Sequence, residues 1–71
     1  MNMIRSLREK QLLTQEDLAR ISGLSVVTIS RLETGRSNPS IKTIRALATA
    51  FRMEAVELRD MLISEQTRMP I

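Results

Sequence analysis

The chain has 71 residues, enough for one small domain, and it contains neither cysteine nor histidine. These absences exclude disulfides, a thiolate nucleophile, imidazole catalysis and the usual zinc sites. The formal net charge is +3, with eight basic and four acidic side chains in residues 1–45 but three and four in residues 46–71. A basic half suits a surface that faces phosphates, although Lys and Arg also simply solvate small domains. No apolar run approaches the roughly 20 residues that cross a bilayer, and no secretory signal is evident, so we expect a cytoplasmic protein.

The first predicted helix covers residues 3–12. Ile4 and Leu7 lie three positions apart, on the side of a helix that faces a core. Either Leu12 or Leu13 is expected to close the turn that follows.

A glycine turn joins the next two predicted helices, within the segment TQEDLARISGLSVVTISRLETG. Thr14 is a good cap for a helix from Gln15 to Ser22, and Asp17 complements the positive first turn of that helix. Ala19 is small enough to let another helix approach. Gly23 can take the positive φ that a sharp turn requires.

Ser25 is expected to cap a third helix that runs to about Thr34. Ile29 and Leu32 anchor one face of this helix, three positions apart. The opposite face is left for a partner, and it carries Val26, Val27, Ser30 and Arg31. The pattern is typical of a helix-turn-helix and predicts a protein that binds DNA.

A fourth helix is predicted after Gly35 and the loop RSNP, with Ser40 as its cap. Its expected inward residues recur at helical spacing and are Ile41, Ile44, Leu47, Ala48 and Phe51. Phe51 is the only aromatic residue, so we expect it at the centre of the core.

A fifth helix, from Ala55 to about Ile63, has apolar residues on more than one face, namely Val56, Leu58, Met61, Leu62 and Ile63. A domain this small cannot easily bury them all. We therefore favour a homodimer interface that includes Val56, Met61 and Ile63 over a helix that is merely rich in apolar residues. Residues 65–71 are expected to fray, which leaves residues 1–64 as the domain.

These features resemble the DNA-binding domains of the phage lambda repressor and Cro type, also called the Xre family. The matching motifs are LTQEDLA, the small and apolar set around Gly23, and LETGRSNPS, and the likeness extends from Met3 to Leu62. It implies an all-α, five-helix lambda-repressor-like domain that binds double-stranded DNA. Relatives often have glycine at the position of Arg52, where the fourth helix ends in a left-handed turn, so arginine there is expected to cost about 1 kcal/mol if that conformation is kept.

The resemblance also implies which residues contact DNA. Gln15 matches a glutamine that binds a phosphate at the start of the second helix, although a polar residue is acceptable there without that role. The loop residues that hold the DNA backbone are Arg36, Ser37 and Asn38. Base reading is expected from the early and outward part of the third helix: Ser25, Val26, Val27, Thr28, Ser30 and Arg31.

Arg31 is the main candidate for reading a base, because its planar fork can donate twice to guanine; contact with phosphate alone is the alternative. The two valines can pack on thymine methyl groups, which predicts half-sites that contain thymine unless one valine turns into the core. The resemblance further implies an ion pair between Arg8 and Glu33. The sequence leaves open whether this pair is buried and costly to break or exposed and weak.

We expect a transcriptional regulator, namely a repressor that binds an inverted-repeat operator as a dimer with half-sites one helical turn apart or a multiple of it. The alternatives are an antitoxin that also represses its own operon and a module that does not bind DNA. Catalysis is not expected, because the carboxylates at Glu16, Asp17, Glu54 and Glu57 are explained by helix first turns. No cofactor, metal, small-molecule ligand or membrane partner is expected, whereas a protein partner and the sign of regulation stay open.

Overall fold

The computed structural model describes residues 2–66, and these residues form five helices and no strand. The helices are α1 (Met3–Lys10), α2 (Gln15–Ser22), α3 (Val26–Glu33), α4 (Ile41–Phe51) and α5 (Ala55–Gln66). α2 packs on α3 and α4, α1 contacts α3 and α5, and α4 packs on α5. The all-α, five-helix architecture that the sequence predicts is confirmed. No helix within the described residues has the length and apolar content to span a membrane.

A single apolar core joins all five helices. Its largest fully buried side chains come one from each helix, and they are Ile4, Leu18, Ile29, Leu47 and Leu58. Phe51 is buried in the same cluster, as predicted, and so is the small Ala19 at the contact of α2 with its neighbours. Because every helix contributes to one core, we expect the domain to unfold cooperatively.

One predicted core residue lies at the surface instead. Ile41 begins α4 and is 70% exposed, whereas Ile44, Leu47 and Phe51 on the same side of the helix face the core. The spacing of Ile41 is correct for the inner side of α4. Burial also requires a neighbouring helix to pack against the first turn of α4, and periodicity alone does not show whether one does.

Side-chain caps define where the first four helices begin. Thr14 and Asp17 form a capping box at α2, while Ser25 and Ser40 accept the N–H groups three residues later in α3 and α4. These three caps match the sequence-based predictions. Asn2 is a fourth cap, because its Oδ1 accepts the N–H groups of the first turn of α1.

The first four helices each end next to a residue with a positive φ. Gly23 and Gly35 have φ values of 78° and 76°, and Arg52 also adopts the left-handed conformation, which is the condition under which arginine there carries a cost. Leu12 is the fourth such residue, with a φ of 59° and a side chain that is 91% exposed. α1 therefore ends at Lys10, earlier than the predicted Leu12.

Two side-chain amides connect the ends of distant helices. Asn2 Nδ2 donates to the carbonyl oxygen of Leu32 at 2.7 Å, which joins the start of α1 to the end of α3. Gln11 Nε2 donates to the carbonyl oxygen of Phe51 at 3.0 Å, which joins the end of α1 to the end of α4. Such bonds satisfy carbonyl groups that have no partner within their own helix.

The fifth helix is longer than the sequence indicates. It continues to Gln66, so the first two residues of the predicted frayed segment are helical. Residues 67–71 lie outside the described residues, and the prediction that they fray stays a prediction.

Candidate nucleic-acid interface

α3 has one side in the core and the other at the surface. Ile29 and Leu32 are buried, whereas Val26, Val27 and Arg31 are exposed, and Val27 keeps 59% of its accessible surface. Neither valine turns into the core. The side of α3 that the sequence assigns to a partner is therefore available to one.

The outer side of α3, the start of α2 and the loop after α3 line one open groove. Six of the ten predicted DNA-contact residues meet there, and they are Gln15, Val26, Val27, Ser30, Arg31 and Arg36. The other four, Ser25, Thr28, Ser37 and Asn38, do not line it. Thr34 lines the groove but was not predicted, because its side chain is a weak signal at the end of a helix.

The hydroxyl groups of Ser25 and Thr28 bond to each other at the start of α3. Ser25 Oγ accepts the backbone N–H of Thr28 at 3.0 Å and donates to Thr28 Oγ1 at 2.9 Å. Ser25 thus has a structural function as the cap of α3. Its role in base reading, and that of Thr28, stay predictions.

The loop after α3 folds back on the last turn of that helix. Gly35 has a positive φ, and the N–H groups of Arg36 and Ser37 donate to the carbonyl oxygen of Arg31 at 2.9 and 3.3 Å. This arrangement closes the end of α3 in the manner of a Schellman turn. It also brings the exposed Arg36 to the same groove as Arg31.

Arg8 on α1 and Glu33 on α3 form a buried ion pair. Arg8 Nε and Nη2 donate to the two carboxylate oxygens of Glu33 at 2.6 and 3.0 Å, and Arg8 Nη1 donates to the carbonyl oxygen of Leu13 at 2.8 Å. The Arg8 and Glu33 side chains are 12% and 4% exposed. The hydrogen bond to Glu33 raises the pKa of Arg8 above its ordinary value. The question of burial that the sequence leaves open is thus decided in favour of the buried pair.

Gln15 is attached to the same buried pair. Its Nε2 donates to Glu33 Oε1 at 3.1 Å. An amide nitrogen carries two N–H groups, so the bond to Glu33 orients the side chain while its second N–H can meet another acceptor. Sequence analysis identified Gln15 and Glu33 separately but gave no sign of this contact, because the two residues lie on different helices.

The charge of the groove suits a polyanion. Arg31 and Arg36 are its charged lining residues, and no acidic side chain is found among the described residues that line it. The start of α2, with its outward N–H groups, lies at one edge through Gln15. An apolar strip at the valines lies beside these basic groups, which is a combination that suits the edge of a base pair next to a phosphate backbone.

Comparisons with known proteins agree with this geometry. A family model described as helix-turn-helix matches residues 4–58. The wild-type restriction-modification controller protein C.Esp1396I superposes on this chain with a TM-score of 0.75 at 31% identity, covering 94% of this chain and 86% of the controller. A point mutant of that controller gives a TM-score of 0.75 at 33% identity, over 89% of this chain and 82% of the mutant.

Curated relatives carry the names of regulators. The uncharacterized HTH-type transcriptional regulator y4dJ of Sinorhizobium fredii is 46% identical over 57 residues, which cover 80% of this chain and 73% of the relative. The HTH-type transcriptional repressor RghR of Bacillus subtilis is 45% identical over 70% of this chain, and the HTH-type transcriptional regulator DdrOP3 of Deinococcus deserti is 36% identical over 78% of it. This chain spans only 38% of RghR and 43% of DdrOP3. By sequence and by fold, the chain belongs to the helix-turn-helix family of the lambda repressor and Cro type, a family of DNA-binding transcriptional regulators.

Proposed function

We propose that the protein is a transcriptional repressor that binds an inverted-repeat operator as a homodimer. The outer side of α3 carries this proposal: the exposed valines and Arg31 share one groove with Arg36, while the inner side of α3 is fixed in the core. A helix held in this way presents a rigid surface to the major groove of DNA. The groove residues then divide into base readers on α3 and phosphate ligands at Gln15 and Arg36.

Dimerisation through α5 is supported by its apolar residues. Val56 and Ile63 are both exposed and lie seven positions apart, on one side of the helix, and Met61 is half-buried. Leu58 and Leu62 already occupy the opposite side, in the core. A two-fold axis near Val56 and Ile63 would cover this apolar side and repeat α3 at a second half-site, about 34 Å along the duplex.

Repression follows from occupancy, since a dimer on an operator covers DNA that RNA polymerase needs. The similarity to RghR, which is named a transcriptional repressor, favours this sign of regulation. A protein with this function works where the chromosome is, in the cytoplasm.

A second candidate role is control of a restriction-modification operon. The solved controller structures favour it, because this chain covers 82% and 86% of their length. Adjacent genes for a restriction endonuclease and a DNA methyltransferase would distinguish this role from that of a general repressor.

The experiment that tests the proposal is selection of bound fragments from random duplex DNA, followed by titration of the best fragment against salt. We expect a palindrome whose half-site centres are about 10 base pairs apart, or a multiple of that distance, and two protomers per duplex. The logarithm of the binding constant should fall linearly with the logarithm of the salt concentration, with a slope that corresponds to the release of several counterions. A scrambled duplex of equal composition is the control. Recovery of no motif would overturn the proposal, and one protomer on a single half-site would overturn its dimeric part. Co-purification of a second protein with the chain would favour the antitoxin alternative.

A further inference from the structure

We propose that the outer side of α3 reads C5-methyl groups of pyrimidines, so that each half-site has a thymine or a 5-methylcytosine close to a guanine. This inference rests on the proposed function, because it names what the groove recognises once DNA is bound. It makes operator affinity depend on single methyl groups in the major groove.

The apolar character of the first turn of α3 is the first argument. Val26 and Val27 are its two leading residues, both are exposed, and both line the groove. A valine side chain offers two methyl groups and no hydrogen-bond donor or acceptor. In the major groove the apolar group that matches it is the methyl at C5 of a pyrimidine.

The hydrogen bonding of the neighbouring hydroxyls is the second argument. Ser25 and Thr28 are the polar side chains nearest to the valines, but their hydroxyls bond to each other and to the backbone of α3. Ser25 Oγ is held by capping the Thr28 N–H, and neither Ser25 nor Thr28 lines the groove. The valines are therefore the side chains of this turn that are free to meet a base edge.

Arg31 selects the base that lies near the methylated pyrimidine. It follows Val27 by four positions, so the two side chains lie on the same side of α3, about 6 Å apart along the helix axis. Stacked base pairs are about 3.4 Å apart, and a helix tilted to the duplex projects less than its own rise, so the two side chains address positions within about two base pairs of each other. Arg31 selects guanine through its O6 and N7 atoms. The half-site then contains a methylated pyrimidine and a guanine within about two base pairs.

The contact predicts a measurable dependence on one methyl group. Uracil differs from thymine only by the loss of the C5 methyl, so the exchange keeps every hydrogen-bond group of the base pair. Covering one methyl group changes an equilibrium constant by about three- to fivefold. We expect a loss of this size when uracil replaces the thymine that faces a valine.

A combined exchange on protein and DNA tests the contact. Each thymine of the selected operator is replaced singly by uracil, and Kd is measured for the wild-type chain, Val26→Ala and Val27→Ala. We expect one thymine per half-site at which uracil weakens binding about three- to fivefold in the wild type, with this loss abolished in one of the alanine variants. Leu12→Ala removes an exposed apolar side chain outside the groove, in the turn after α1, and it should keep the full uracil effect.

The outcomes separate the inference from the proposed function. Specific binding that is insensitive to uracil at every thymine would overturn the inference and leave the operator reader intact. A uracil effect of equal size in the wild type and both valine variants would also overturn it, because the methyl would then act on DNA shape alone. Absence of specific binding to any duplex would overturn the proposed function itself.

Cytosine methylation gives an independent test at the same position. Replacing the sensitive thymine by cytosine removes the methyl and changes the base pair, and 5-methylcytosine then restores the methyl alone. We expect methylation to raise affinity about three- to fivefold for the wild type and to have no effect on the valine variant that abolished the uracil effect. Equal affinity for cytosine and 5-methylcytosine in the wild type would overturn the extension to methylated cytosine.

Discussion

Among the described residues, two that are not glycine occupy the left-handed region of the backbone map, and each lies within two residues of the end of a helix. Leu12 and Arg52 have φ values of 59° and 60°. This region costs an L-residue about 1–2 kcal/mol relative to the right-handed one. The turns at both residues are closed by hydrogen bonds from the following N–H group, with Leu13 bonded to Arg8 and Met53 bonded to Ala48. The folded structure therefore retains both conformations in spite of their cost.

Glycine at either position should stabilise the domain. We expect Arg52→Gly and Leu12→Gly each to raise the free energy of unfolding by about 0.5–1 kcal/mol, because relief of strain exceeds the added freedom of the unfolded chain. Urea unfolding followed by circular dichroism measures the change. Arg45→Gly, in the exposed middle of α4, is the matched control and should instead lower stability by about 1 kcal/mol. A loss of stability in all three variants would contradict the explanation.

The buried pair of Arg8 and Glu33 is expected to be costly to break from one side. Arg8→Met and Glu33→Leu each strand a charge that has almost no contact with water, so each should lower the free energy of unfolding by about 3–5 kcal/mol. The double variant should lose clearly less free energy of unfolding than the sum of the losses of the two single variants. These losses are a large part of the about 4–10 kcal/mol of stability expected for a domain of this size. The urea titrations are therefore run in added sucrose, which stabilises the folded state.

The exposed pair of Arg5 and Glu9 is the control for that cycle. Its atoms are 3.0 Å apart, but both side chains are more than half exposed. Arg5→Ala should therefore change stability by less than about 1 kcal/mol. Additive losses at Arg8 and Glu33 would show that the two side chains do not act as a pair.

At the scale of the helix, the capping box of α2 gives the domain a pH dependence. Hydrogen bonds from the backbone N–H and the side chain of Thr14 lower the pKa of Asp17 below its ordinary value. Such a carboxyl stabilises the folded state above its unfolded pKa of about 3.9, and this contribution is lost as the pH falls through the lower folded value. We expect the melting temperature of the wild type to fall more steeply below about pH 4 than that of Asp17→Asn. Asp60→Asn makes the same change of charge on α5 and serves as the control, and parallel profiles for the wild type and Asp17→Asn would contradict the prediction.

The third helix and the loop after it should contribute differently to DNA binding. Arg31→Ala should cost about 1–3 kcal/mol on the preferred operator and relax specificity at one base pair. Arg36→Ala should weaken all duplexes about equally and reduce the salt slope by about one counterion. Kd values on the operator, on single-base variants and on scrambled DNA measure both effects. A uniform loss for Arg31→Ala would indicate that this residue binds phosphate, which is the alternative that the sequence left open.

Local signals made the helices predictable, and contacts between helices were the part that the sequence missed. Thr14, Ser25 and Ser40 predicted three helix starts, and Gly23 predicted the turn of the helix-turn-helix, because caps and positive φ are properties of neighbouring residues. The burial of Ile41 depends on how far other helices extend, so periodicity could not give it. The same contrast between local signals and contacts between helices applies to the candidate site. The exposed side of α3 was predictable from spacing, but the bond between Gln15 and Glu33 required the fold.

The whole molecule is expected to bind its operator most tightly as a pair of chains. Val56→Glu combined with Ile63→Glu places charge on the exposed apolar side of α5 without touching the buried Leu58. We expect this variant to remain folded, to sediment as a monomer and to lose at least about tenfold in operator affinity, because each half-site is then bound separately. Sedimentation and gel-shift titration measure the two effects, with Leu12→Glu as a control at an exposed apolar residue outside α5. An unchanged dimer would place the interface elsewhere.

The side chain of Asn2 performs two functions through two different atoms. Its oxygen accepts the first N–H groups of α1, while its nitrogen donates to Leu32 at the end of α3. Hydrolysis of this amide to aspartate, a common form of chemical ageing, would preserve the first function. It would also replace the donor with an anion facing a carbonyl oxygen 2.7 Å away, so a mass increase of about one dalton would break the bond between the start of α1 and the end of α3.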